Sequence, residues 1–155
     1  MGLLDWLKAG IKPLQLDDPD FGRMTFMHIP NAPEKSYWEA EWRFPPLGYE
    51  VSIGLPGDKA GMAAGAKEFY LSRAAEFERI LNLVRPGLDA VSRTWLGRPL
   101  AENIWSDFKL AGFDVEDLAA TPLRWNVAFE TVGNQWLGIT IPMLGNIAQE
   151  PVVDT

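Results

Sequence analysis

A chain of 155 residues with 47% hydrophobic and 23% charged side chains has the size and balance of one globular domain, and burying roughly 70% of its unfolded surface gives it a real core. It has no cysteine, which excludes disulfides, thiolate nucleophiles, zinc ribbons and iron–sulfur clusters. A formal charge of −7, from 21 acidic against 14 basic side chains, repels a phosphate backbone, so nucleic acid is a poor partner and a basic protein a better one.

At the start of the chain Leu3, Leu4, Leu7 and Ile11 recur at helical spacing until Pro13 interrupts them, which predicts a short amphipathic helix or arm over residues 1–16. Asp5, Lys8 and Lys12 give it no strongly basic face, so docking on the protein's own core is expected and not membrane binding. Neither a signal-peptide pattern nor an apolar run of roughly 18 residues is present, and the expected compartment is the cytoplasm.

Asp17-Asp18-Pro19-Asp20-Phe21-Gly22 reads as a turn cluster leading into a first strand over Met24 to Ile29. In Tyr37 to Phe44 the alternation is clear: Trp38, Ala40, Trp42 and Phe44 point one way, and Tyr37, Glu39, Glu41 and Arg43 the other. Val51, Ile53 and Leu55 are the inward set of a third strand. The period then changes to 3.6, with Ala66, Phe69, Tyr70, Ala74, Phe77, Ile80, Leu81 and Val84 forming one apolar stripe. Arg85-Pro86-Gly87 is expected to break this helix, and a second one with Leu88, Val91 and Trp95 on one side is expected to stop at Gly97.

A helical turn is expected around Ile104 and Trp105, then a strand from Phe108 to Val115 bent at Gly112. Arg124 to Thr131 and Trp136 to Met143 alternate as two more strands, the last burying Leu137, Ile139, Ile141 and Met143. The resulting expectation is an α+β fold: three strands, a helical hairpin and three strands, making one antiparallel sheet of about six strands with the helices on one face. Residues 17–145 form the single domain and 146–155 a tail with little to pack. No internal repeat is evident along the chain.

Chemistry is sparse. His28 is the only histidine, so a triad would have to be built around it, and no Gly-x-Ser-x-Gly elbow supplies a nucleophile. Asp17, Asp18 and Asp20 could hold calcium weakly, although an Asx turn explains them better. Gly57-Asp58-Lys59-Ala60-Gly61 lacks the phosphate-loop pattern and reads as a turn. No cofactor or metal is expected. Glu39 and Glu41 stand roughly 6.5–7 Å apart at Cα on one sheet face, a separation at which two carboxylates can work as acid and base; solvation of an open sheet face selects the same residues. Tyr37, Glu39, Glu41 and Arg43 are therefore the candidate interaction face. Of seven tryptophans, Trp6, Trp95, Trp105 and Trp136 have no core place assigned by alternation, and an exposed one could anchor a partner.

The run Asp17 to Met24, followed by Tyr37-Trp38-Glu39-Ala40 and the helix carrying Phe69-Tyr70, resembles a group of small uncharacterised bacterial domains. There an acidic turn leads into Phe-Gly-x-[Leu/Met] and the second strand carries Trp-Glu-[Gly/Ala]. The likeness spans residues 17–85, with Trp125 to Phe129 as a late echo, and Ala40 stands where glycine is expected. Some such domains look like immunity proteins that neutralise toxins, so the resemblance implies a protein-binding role without catalysis and carries over no site residue. The alternatives from the residues themselves are a hydrolase using Glu39 and Glu41, and a small-ligand-binding domain.

Overall fold

The computed structural model describes residues 13–155. The helix expected over residues 1–16 therefore lies largely outside the described residues, and at its described end Gln15 and Leu16 already belong to a strand. Contacts gather into two compact units, Met1–Ala74 and Ala75–Thr155. The fold is α+β with antiparallel sheets, as expected, but the single sheet of about six strands is replaced by two sheets holding ten strands between them. Alternation tells which way a side chain points and not which strand lies beside it, so six half-buried strands in sequence are equally compatible with one sheet or two.

The first unit is a meander of β1 (Gln15–Asp18), β2 (Gly22–Met27), β3 (Tyr37–Phe44), β4 (Tyr49–Asp58) and β5 (Gly61–Met62) in sequential order. In β3 the expected alternation is complete, with Trp38, Ala40, Trp42 and Phe44 all buried. They pair with the inward row of β4, Trp38 opposite Leu55, Ala40 opposite Ile53 and Trp42 opposite Val51. Helix α1 (Ala66–Ala75) covers this row: the Tyr70 ring meets Trp42 edge-on at 6.4 Å, and its hydroxyl donates to the Gly54 carbonyl at 2.8 Å. The glycine-rich segment 57–61 is the β4–β5 hairpin. A Cβ at Gly57 would come within 2.4 Å of the Gly61 carbonyl, so close backbone approach explains that glycine without any phosphate.

The second unit opens with helix α2 (Phe77–Val91), which runs straight through Pro86. The helix was expected to break there; the break comes instead at Glu76, whose backbone leaves the helical region. Phe77, Ile80, Leu81, Val84, Leu88 and Val91 are all buried at helical spacing, and continuing that stripe outweighs the one hydrogen bond that proline removes. The helix passes into a π-turn and ends on Gly97 in the left-handed region, φ 71°, where a terminating glycine was expected. A 3-10 turn over Ile104–Ser106 follows.

Strands β6 (Phe108–Asp117), β7 (Arg124–Thr131) and β8 (Gly138–Leu144) then form the second sheet. The bend expected at Gly112 is a bulge: the β6–β7 register slips between Leu110 and Gly112, and again between Val115 and Asp117. Contrary to the expected loose tail, β9 (Ile147–Ala148) and β10 (Val152–Asp154) both pair with β8. Gly87 of α2 leaves room for Pro151, since a Cβ there would lie 3.0 Å from the proline ring. Three-residue strands are below what periodicity can register.

Each taken by itself, the two units repeat one strand-pairing plan that the linear sequence does not advertise. β3-β4 and β7-β8 pair in the same register, with Trp125 opposite Met143, Val127 opposite Ile141 and Phe129 opposite Ile139 where the first unit has Trp38–Leu55, Ala40–Ile53 and Trp42–Val51. The third strands differ, the β4–β5 hairpin closing at Asp58–Gly61 and the β8–β9 hairpin at Leu144–Ile147, earlier by this correspondence. Val51-Ser52-Ile53-Gly54-Leu55-Pro56-Gly57 thus corresponds to Ile139-Thr140-Ile141-Pro142-Met143-Leu144-Gly145. Each tryptophan donates its indole N–H to a carbonyl 20 residues on, Trp38 to Asp58 and Trp125 to Gly145, both at 2.9 Å. The flanking strands differ: β1 extends the first sheet beyond β2, and β10 extends the second beyond β8.

Because Trp42 is buried and Glu41 exposed, Trp42→Ala is expected to cost about 3–5 kcal/mol in urea unfolding, and Glu41→Ala less than about 0.5 kcal/mol. Reversed costs would mean that the register of β3 is wrong.

Candidate functional site

Strand period alone brings Tyr37, Glu39, Glu41 and Arg43 onto one face, opposite the buried tryptophan row. The structure confirms their shared placement: Glu39, Glu41 and Arg43 are exposed and Tyr37 half-buried. Cross-strand pairing adds neighbours that were not singled out in advance. Glu41 lies opposite Ser52 and Arg43 opposite Glu50 on β4, and Glu39 lies between Thr25 of β2 and Gly54 of β4. The signal for Glu50 and Ser52 was present, since Val51, Ile53 and Leu55 pointing inward force them outward.

The face has internal order. The Ser52 hydroxyl donates to a Glu41 carboxylate oxygen at 2.5 Å, so one of the two candidate carboxylates already has a fixed partner. Tyr37 lies diagonally over Gly54: a Cβ at that glycine would come within 3.2 Å of Tyr37 Cδ2, and the aromatic ring covers the gap that the missing side chain leaves. Burial, with the Glu39 carboxylate adding to it, holds the Tyr37 phenol above its ordinary value. Tyr37 is thus a neutral aromatic seated over Gly54, next to Glu39 on the same face.

The acidic turn serves architecture. Asp18 Oδ1 accepts the backbone N–H groups of Asp20 and Phe21, at 2.8 and 3.0 Å, which is an Asx turn. Lys67 of α1 places its ammonium 3.0 Å from Asp18 and 2.7 Å from Asp20, 5.8 Å above the Phe21 ring centroid, while Asp17 pairs with Arg23 at 3.3 Å. A lysine stands where a cation ligated by this cluster would have to sit. His28 follows β2, half-buried, with its ring 6.3 Å from Phe26. Among the described residues no group of three or more histidine, aspartate or glutamate side chains is arranged to hold a metal.

Concave surface lies elsewhere. A hollow of about 270 Å³ is lined by Glu116, Arg124, Trp125, Asn126, Pro142, Met143, Leu144 and Gln149. A second, of about 650 Å³, shares Glu116, Arg124 and Leu144, and a third, of about 340 Å³, lies beside Arg98 and Asp107. None of the three includes Glu39 or Glu41. Of the tryptophans without an assigned core place, Trp95 and Trp136 are 42% and 53% exposed, Trp105 stacks on Phe77 with ring centroids 6.2 Å apart, and Trp6 lies outside the described residues. No helix among the described residues is long and apolar enough to cross a membrane. No protein-family model matches the chain, and neither a curated protein nor a solved structure is found to match it.

Two outcomes follow from the Lys67 bridge. Burial alone pushes Asp18 up, but the Lys67 ammonium and the two backbone N–H groups together hold it below the usual carboxyl range, while the Asp20 and Asp18 carboxylates hold Lys67 above its ordinary value. The Asp18 contribution is present above the unfolded carboxyl value of about 3.9 and lost as pH falls through the lower folded one; the Lys67 contribution is present below about 10.4 and lost as pH rises through the higher folded one. Lys67→Met is therefore expected to lower the melting temperature at neutral pH, with the gap to wild type narrowing once Asp18 is protonated; thermal melts of both proteins across the acid range check this. Melts with and without a chelator are expected to coincide, and a drop of several degrees on chelation would show that the acidic turn holds a cation after all.

Proposed function

We propose that this chain is a non-catalytic protein-binding module of the bacterial cytoplasm that recognises a basic protein through the Tyr37, Glu39, Glu41 and Arg43 face. The observation that carries this reading is the face itself. Glu39, Glu41 and Glu50 line it beside Arg43, with Arg23 of the neighbouring strand engaged by Asp17, around a tyrosine whose ring is already seated on Gly54. A partner gains apolar contact there without first having to order that ring, and a basic partner is steered by the surrounding charge. The resemblance to immunity-like domains supports the same reading, with a toxin as the partner. The hydrolase alternative has less support, because none of the hollows described above receives the two carboxylates and Glu41 is held by Ser52. The small-ligand alternative draws on the hollow beside Arg124, whose guanidinium could face an anionic group.

Immobilised wild-type chain is expected to retain a discrete basic protein from the source cell in a salt-sensitive way. A Glu39→Lys, Glu41→Lys double variant with an unchanged melting temperature should lose it. Retention of the same protein by both would remove the face from the proposal, and catalytic turnover abolished by Glu39→Gln would replace binding with hydrolysis.

A further inference from the structure

The correspondence between the two meanders shows what is missing from the first. In the second sheet the outer edge of β8 is fully used: β10 pairs Val152 with Thr140, Val153 with Ile139 and Asp154 with Gly138, and the Gln149 N–H donates to the Pro142 carbonyl at 2.8 Å. By register, Gly138, Thr140 and Pro142 correspond to Glu50, Ser52 and Gly54 of β4. The Gly54 carbonyl is taken by the Tyr70 hydroxyl and the Pro56 carbonyl by the Ala63 N–H, which identifies that side of β4 as the one facing away from β3. Backbone groups alternate sides with period two, so Glu50 and Ser52 present their N–H and C=O groups to the same side. No strand is paired with them among the described residues, and both are exposed.

We infer that the Glu50–Ser52 edge of β4 is a strand-addition site that takes an extended, basic segment of a partner protein in the position β10 occupies on β8. The inference rests on the protein-binding reading above and gives its partner a chemistry. In antiparallel or parallel addition, the residues beside Glu50 and Ser52 place their side chains on the exposed face, next to Glu50, Glu41 and Arg43, while the residue beside Val51 points toward the core row. The occupant therefore alternates lysine or arginine with a β-branched apolar residue. In the second unit Val153, beside Ile139, already plays the inward part and is half-buried there. The chain's own β10 sequence is a poor occupant in trans, because Asp154 would be set against Glu50, where in the second unit it faces Gly138.

The test uses the full chain, isotopically labelled, and two synthetic peptides of about ten residues, one alternating lysine with valine and the other glutamate with valine. The lysine peptide is expected to shift and protect the backbone amides of residues 50–52; the glutamate peptide is not. Ser52→Pro removes one outward N–H at an edge position where proline is tolerated, and is expected to weaken the lysine peptide at least about tenfold. Ser52→Ala, which keeps that N–H and loses only the hydroxyl, is expected to weaken the lysine peptide less than Ser52→Pro does. Equal binding of both peptides, insensitivity to Ser52→Pro, shifts centred on β6 or on the Arg124 hollow, or concentration-dependent pairing of the chain with itself at residues 50–52 would each overturn the inference. A cognate protein that binds Ser52→Pro as tightly as wild type would overturn it while leaving the protein-binding reading intact.

Discussion

The arrangement depends on burying an indole without stranding its N–H. Trp38 and Trp125 are both about fully enclosed, at 1% and 3% exposure, and a buried donor without an acceptor costs roughly 1–3 kcal/mol. Each is satisfied by one backbone carbonyl where the following strand turns back. In both units the acceptor lies at the turn after the paired strand, so the bond ties that hairpin to the ring. With the tryptophan set, the alternating residues on either side have their faces assigned, and the exposed row from Tyr37 to Arg43 is the necessary complement of the buried row from Trp38 to Phe44.

Polar contacts then secure what the indole positions. In the first unit Lys67 joins the acidic turn to α1, and Tyr70 of the same helix reaches over the sheet to the Gly54 carbonyl. In the second, the Asp89 carboxylate accepts the Leu100 N–H and the Arg93 guanidinium, both at 2.9 Å, and Arg98 pairs with the nearly buried Asp107 just ahead of β6. The acidic-turn carboxylates Asp17, Asp18 and Asp20, considered as calcium ligands from the sequence, are fixed ends of such ties. Glu39 and Glu50 have a different standing: they lie on the exposed surface where a partner could meet them.

How much of this was legible follows from what periodicity measures. β3, β7 and the buried row of β8 could be read almost residue by residue, because each alternates cleanly over seven or eight positions. The candidate face was legible for the same reason. The division into two sheets was not, since strands of this kind state their faces and leave their neighbours open. Pro86 sits inside the helix because the burial of Leu88 and Val91 overrides the local backbone preference of proline. The repeated plan was hidden because its two copies share burial and register more than residue identity: Ala40 answers to Val127, and Trp42 to Phe129.

The two register slips in β6 carry a lesson about chain length. Before the first slip the even-numbered Phe108 and Leu110 face the core; after it the odd-numbered Phe113 and Val115 do; and beyond the second, Asp117 stands in the outward row opposite Arg124. Each bulge inverts the parity of the strand and the pair restores it. A sheet built on period two thus treats a single inserted residue as a reversal of everything downstream, and can absorb it only by looping that residue out or by matching it with another. Length variation in this chain should accordingly be written in even steps within strands, with odd steps confined to turns such as Pro45 to Gly48.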